Sequence, residues 1–347
     1  MAGETYRSVD YHTGGEPFRI VTELPFALEG ADVAEKRIRA MASAEVERVR
    51  RLLCHEPRGH ADMYGGFVVE PNDAGAHLGV LFWHKDGFST ACGHGTIALG
   101  TWAVESGLVA PDPSGVTDVV IDVPSGRVTA RVRTDAQAQV TGVDFINVPS
   151  YVLAVDVPVR TSRGELRVDI AFGGAIYAQL DAATAGLTVT PGAVEEIIAL
   201  GREIKWRLAD TEFARHPFDD RLSGIYGTIV FERLPEAEAG PGARALRQRN
   251  ATVFADGELD RSPCGSGTCA RVATLTSAGE LGDGQELHHE SVVGSRFTAV
   301  ALERTLVEGI PTSQAVIPQV TGTAHRTGEH TFLVDPRDEL VPGFVLR

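Results

Sequence analysis

Apolar residues at three- and four-residue spacing predict amphipathic helices over 44–53 (AEVERVRRLL) and 193–208 (AVEEIIALGREIKWRL). Compact apolar runs with strand composition lie at HLGVLFW (77–83) and GTIVFERL (227–234). Two stretches, 120–132 and 141–156, read as further strands leading from one half of the chain into the other. Paired glycines at Gly14-Gly15 and Gly173-Gly174 predict turns at the ends of strands. The segment 235–245 (PEAEAGPGARA) is polar and rich in Pro and Gly, and is expected to be a loop.

These elements recur in order. Asp10-x-x-x-Gly14-Gly15 answers Asp169-x-x-x-Gly173-Gly174, and Tyr64-Gly65 answers Tyr226-Gly227. Cys92-Gly-His-Gly-Thr answers Cys264-Gly-Ser-Gly-Thr, and a glycine follows each cysteine at 15 positions, Gly107 and Gly279. The offsets drift only from 159 to 172, as a few loop insertions would produce. The pattern predicts an internal duplication: a first half over 1–140, joined by a C-terminal return over about 325–347, and a second half over 141–324. In each half the glycine phrase opens a helix of small residues that the later glycine stops.

Composition narrows the function. The chain has 347 residues, enough for a sizeable core, and is 43% hydrophobic and 23% charged, as in ordinary globular proteins. Lys and Arg total 32 against 47 Asp and Glu, and the net charge of −15 argues against nucleic acid or an anionic membrane as partner. No run of 18 apolar residues predicts a membrane span. Four cysteines make no disulfide framework, and a cytoplasmic location is the expectation. Cys54, His55 and His60 lie close in sequence but lack metal-site spacing, so no metal is expected. Without the Lys of a P-loop, the glycine phrases are not nucleotide sites. No cofactor is expected.

A cysteine ahead of Gly-x-Gly-Thr sits at a helix N-terminus, beside unpaired backbone N–H groups. Those groups can hold a carboxylate without a basic side chain. The helix dipole is expected to lower the thiol pKa by about one unit. If the two halves face each other, a small anion is pinned between two helix N-termini with a sulfur on each face. That arrangement suits removal of a proton from the carbon next to a carboxylate by one sulfur and delivery of a proton by the other. Cys54 and Cys269, within predicted helices, read as inert core residues; Tyr177, after Gly173-Gly174, reads as core, with packing on a bound ring as its alternative.

RSVDYHTGGEPFRIV (7–21), EPRGHADMYGG (56–66), STACGHGTIALG (89–100) and FADGELDRSPCGSGT (254–268) together resemble the proline racemase superfamily of racemases, 2-epimerases and 3-hydroxyproline dehydratases. The resemblance implies an α/β (α+β) fold like that of diaminopimelate epimerase: two pseudo-symmetric halves, each a sheet wrapped on a central helix, with the site between them. It implies that Cys92 and Cys264 are the acid/base pair, and that Gly93, His94, Gly265 and Ser266 hold the substrate carboxylate. It implies that Asp260 meets the ring nitrogen, and that a homodimer is possible. In the first half Phe88 stands at the place of Asp260. Dehydratases of this group commonly carry Thr or Ser at one cysteine position, so the Cys/Cys pair points to a racemase or epimerase of proline or hydroxyproline. Phrases such as LFWHKDGFSTACGHGTIALG and VDIAFGGAIYAQL look more like the dehydratase branch, which makes trans-3-hydroxy-L-proline dehydration the alternative. A proline-type ligand-binding protein without turnover is the third reading.

Overall fold

The structure, a computed structural model, describes residues 3–240 and 243–346. In chain order, β1 (Glu4–Thr13) and β2 (Glu16–Val21) precede α1 (Val33–Ala42), α2 (Ala44–Cys54), β3 (Gly65–Val69), β4 (Leu78–His84), β5 (Gly87–Phe88) and α3 (Gly93–Glu105). Four strands follow: β6 (Val116–Val123), β7 (Gly126–Thr134), β8 (Val140–Ile146) and β9 (Ser150–Thr161). The next run is β10 (Gly164–Phe172), β11 (Ile176–Asp181), α4 (Val194–Leu208), β12 (Ile225–Gly240), β13 (Ala243–Phe254), β14 (Glu258–Leu259) and α5 (Gly265–Ser277). The chain closes with β15 (Leu287–Ser291), β16 (Arg296–Arg304), β17 (Ala315–Gly322) and β18 (Ala324–Val334).

Strand pairing repeats between the two runs. β2 lies parallel to β3 and β4 to β6, as β11 lies parallel to β12 and β13 to β15. β1 is flanked by β2 and by β18, which returns from the far end of the chain; β10 is flanked by β11 and β9. β17 pairs with β16 along one edge and with β8 and then β9 along the other, so that the strands around both central helices join in one continuous sheet. One part of it packs around α3, which touches β1, β2, β6, β7, β8 and β18. The other packs around α5, which touches β9, β10, β11, β16 and β17.

The two central helices are buried on all sides, which explains their composition. Almost every residue of α3 from Gly93 to Val104, and of α5 from Gly265 to Thr276, is buried. A helix enclosed by strands all round has no polar face, and small residues let the surrounding sheets approach. The outer helices behave in the opposite way. α2 is capped by the Ser43 hydroxyl, which accepts from the Val46 amide, and it buries Val46, Val49, Arg50, Leu52, Leu53 and Cys54 while its other residues reach solvent. α4 begins with Glu195 and Glu196 and ends with Lys205 and Arg207, matching its dipole. Gly107 and Gly279, with φ of +76° and +72°, terminate the two central helices as expected.

One expectation is corrected. Residues 235–240 and 243–245 are strand rather than loop: β12 and β13 extend into this stretch, pairing Ala237 with Ala245 and Glu238 with Arg244, while 241–242 lie outside the described residues. Cross-strand pairing overrides the turn-like composition there. Helix α1 had no prediction; its Asp32 cap, accepting from the Glu35 amide at 2.6 Å, is the sequence signal for it. No helix is long and apolar enough to cross a membrane among the described residues.

Candidate active site

Cys92 and Cys264 occupy the N-cap positions of α3 and α5. The Cys92 sulfur accepts from the Gly95 amide at 3.2 Å, folding back over the first turn of its own helix. Glycine is required there, because a Cβ on Gly95 would lie 2.7 Å from that sulfur. The second phrase repeats the device, with a Cβ on Gly267 falling 2.9 Å from the Cys264 sulfur. Cys264 reaches this position at φ +62°, a conformation rare for a residue with a side chain and costing about 1–3 kcal/mol. The Ser262 hydroxyl anchors it by accepting from the Cys264 amide at 3.0 Å.

The first glycine of each phrase does something different. A Cβ on Gly93 would sit 2.6 Å from the backbone of Gly265 and from the Ser266 nitrogen. A Cβ on Gly265 would sit 2.7 Å from Gly93 and 3.0 Å from the His94 nitrogen. The two helix N-termini therefore abut, backbone against backbone, and the positive ends of both dipoles converge on one place. Gly93, His94, Gly265 and Ser266 are thus brought together.

Asp260 joins them. It is 2% exposed, its Oδ1 accepts from the Ser262 amide and hydroxyl at 2.7 Å each, and its Oδ2 lies 3.9 Å from His94 Nδ1. Burial pushes its carboxyl up to about 6, against the pull of the Ser262 hydrogen bonds. The His94 ring is held neutral, its pKa pushed down to about 3 by burial. It packs edge-on against Phe18 and Tyr64 and lies 3.5 Å from the Cys92 sulfur. Its carbonyl accepts from Thr13, beside the Gly14-Gly15 turn, at 3.0 Å.

The thiols depart from expectation. The helix dipole was expected to lower both pKa values; instead burial pushes both well up, and the lowering hydrogen bonds from Gly95 and Gly267 are smaller effects. Cys92 is 4% and Cys264 5% exposed, and each also feels the Asp260 carboxylate. Removing a thiolate from water costs more than one helix end returns.

Several neighbours escaped sequence reasoning. Tyr177 is not simply core: its hydroxyl lies 2.7 Å from the Ser266 hydroxyl and accepts from the Cys264 thiol at 3.8 Å. Tyr64 and Tyr226 meet hydroxyl to hydroxyl at 2.9 Å, and Tyr64 also bonds Ser89 at 2.5 Å. Glu16, just after the Gly14-Gly15 turn, is fully buried and accepts from the Arg261 amide at 2.7 Å through Oε2, leaving Oε1 unpartnered. The Tyr-Gly anchors of the sequence repeat marked Tyr64 and Tyr226, but without indicating that they meet.

Cys54, His55 and His60 form no metal cluster among the described residues: the Cys54 thiol donates to the Met63 carbonyl and the His55 ring meets the Lys85 carbonyl. His84, Asp86 and Glu258 do bring donor atoms within 4.8 Å of one another. The Lys85 ammonium, 2.6 Å from Asp86 and 3.9 Å from Glu258, already supplies positive charge there. Cys269 is buried within α5, with its thiol pushed up by burial.

Two buried thiols stand on abutting helix ends with the Asp260 and Glu16 carboxyls nearby, and the proline racemase family model matches residues 8–345. The chain belongs to the proline racemase family. Among family members, a 3-hydroxyproline 2-epimerase of Burkholderia multivorans is 44% identical over 98% of this chain and 98% of its own. A trans-3-hydroxy-L-proline dehydratase of Bacillus cereus is 41% identical, again over 98% of both chains. Among solved structures, a hydroxyproline epimerase of Agrobacterium vitis with bound trans-4-hydroxy-L-proline superposes with a TM-score of 0.87 at 28% identity, covering 99% of this chain and 96% of that one. The mixed α+β fold, two helices each wrapped by a sheet, is that of the proline racemase family.

Proposed function

We propose that this chain is a cofactor-independent 2-epimerase of a hydroxyproline, with the 3-hydroxy ring as first candidate, using Cys92 and Cys264 as opposed acid and base. The observation that carries the reading is the contact of Gly93 with Gly265, which sets two N-cap cysteines at one junction of two helix ends. A substrate carboxylate accepts from the amides of Gly93-His94 and Gly265-Ser266, and the ring ammonium pairs with Asp260. One sulfur, as thiolate, takes the Cα proton, and the electron pair spreads into the carboxylate between the two positive helix ends. The opposite thiol then gives its proton to the other face. The two sulfurs exchange protonation states, and the reverse reaction starts from the state in which the forward one ended.

Burial of the thiols fits this chemistry. A Cα proton is a very weak acid, so a thiolate made more basic by desolvation has more driving force to remove it. The arriving ring ammonium offsets the cost of that thiolate by placing a cation among the negative groups.

A second reading, trans-3-hydroxy-L-proline dehydration, is favoured by identities of 41% and 44% to chains of that name. The first step is the same. The electron pair then expels the 3-hydroxyl, which leaves as water with a proton from the opposing thiol, and a C2=C3 enamine remains. Incubating proline and the trans-3- and trans-4-hydroxyprolines with the enzyme and separating the products by chiral chromatography tests the proposal. Inverted ring amino acid supports epimerisation, cyclic imine from the enamine supports dehydration, and no change in any substrate overturns both.

A further inference from the structure

A cavity of about 450 Å³ opens between the two runs of the chain, lined by Arg37, Ser89 and Thr90 on one side and Lys205, Ser223 and Tyr226 on the other. Short chains of side-chain contacts connect it to the thiols. Ser89 and Thr90 precede Cys92 by only a few residues, and Ser89 bonds Tyr64, whose ring packs on His94. Tyr226 faces the cavity, bonds Tyr64 and packs edge-on against Tyr177, the residue beside Cys264.

One cation of its wall has no carboxylate partner among the described residues. The Arg37 guanidinium, partly buried, donates to the carbonyls of Phe88 and Arg221, and no carboxylate among the described residues forms an ion pair with it. The Lys205 ammonium donates to the Ala255 carbonyl. The two aspartates of the same wall are already paired, Asp86 with Lys85 and Asp256 with Arg202. An uncompensated cation in a partly dehydrated cavity attracts a small anion, and this volume falls in the range of small-molecule sites.

Resting on the function proposed above, we infer that this cavity is the anteroom through which a small amino-acid carboxylate reaches the cysteines, held first by Arg37 and admitted by separation of the Tyr64 and Tyr226 hydroxyls. The substrate carboxylate leaves Arg37 for the helix ends, while the ring follows between the tyrosines.

The test uses thiol alkylation, which needs no turnover. Iodoacetate carries a carboxylate and iodoacetamide does not; both form a carbon–sulfur bond with release of iodide. Mass spectrometry reads alkylation of Cys92 and Cys264 at fixed pH. The expected result is an iodoacetate-to-iodoacetamide rate ratio at least fivefold lower in Arg37→Met than in the parent, with Arg37→Lys restoring most of it. Because all four native cysteines are buried, Ser223→Cys can be capped selectively with a bulky maleimide. Capping is expected to slow both reagents at least tenfold while uncapped S223C behaves like the parent. An unchanged ratio in R37M, or unchanged alkylation in capped S223C, overturns the anteroom. Charge-selective alkylation in a chain that turns over no proline or hydroxyproline upholds the anteroom and removes the epimerase reading.

Discussion

Gly93 and Gly265 touch backbone to backbone, so that a methyl group on either would fall 2.6–2.7 Å from the other. This contact joins the two central helices end to end and aligns their N-caps. Each phrase therefore needs two glycines for separate reasons. The first permits the helix ends to meet, and the second clears room for the sulfur.

Gly93→Ala and Gly265→Ala are expected to force the helix ends apart. Overpacking of this kind costs about 1–3 kcal/mol, and thermal unfolding should show it. Activity should fall much further than stability, by about 100-fold or more, because a misplacement of about 1 Å disrupts both carboxylate and sulfurs. Equal and modest losses in both quantities would contradict the role given to the contact.

The four cysteines should divide into two classes. Cys92→Ser and Cys264→Ser are each expected to lower epimerisation by about 100- to 10,000-fold, the usual range for a positioned acid or base. Cys54→Ala and Cys269→Ala should keep kcat within about twofold and lose only about 1–2 kcal/mol of stability, since both side chains are buried away from the junction. Chiral chromatography and thermal melts on the four variants check this division.

Much of this was legible in the chain. The two phrases at Cys92 and Cys264, and the terminating Gly107 and Gly279, marked helices, caps and the expected junction, because glycine and cap signals act over a few residues. Tyr177, Tyr64 and Tyr226 were not legible as a connected group, because their contacts span 89, 25 and 162 positions. The direction of the thiol pKa shifts also escaped, since helix position is visible in sequence and desolvation is not. At 235–240 and 243–245 local composition pointed to a loop, and pairing with the neighbouring strand decided otherwise.

Asp260 sets a pH dependence. Burial lifts its carboxyl from 3.8 to about 6, so between roughly pH 4 and 6 the folded chain holds a proton that the unfolded chain has lost. Its contribution to stability should fall as pH rises through that window, by on the order of 2–3 kcal/mol, then level off. Glu16, also raised by burial, acts in the same sense. Asp260→Asn should flatten part of this slope in pH-dependent melts. For activity the sign reverses: kcat/KM should rise through about pH 6 as the carboxylate forms to receive the ring ammonium, and D260N should lose that limb along with most activity.

Tyr177→Phe leaves the Ser266 hydroxyl without its partner and removes the hydroxyl beside the Cys264 sulfur. A loss of about 1–3 kcal/mol in stability is expected from the unpaired buried group. kcat/KM should fall by the same factor in both directions, because the equilibrium between epimers belongs to the solution and not to the enzyme. Progress curves started from each epimer measure the two factors.

Deuterium labelling at the earliest stage of turnover reaches the central claim most directly. With a 3-hydroxyproline epimer in deuterated water, mass spectrometry and NMR of the separated pools report the isotope at Cα. Two opposed sulfurs predict deuterium in the newly formed epimer while unreacted substrate keeps its protium. Product that retains protium, or substrate and product pools that gain deuterium at equal rates from the first time points, would contradict it.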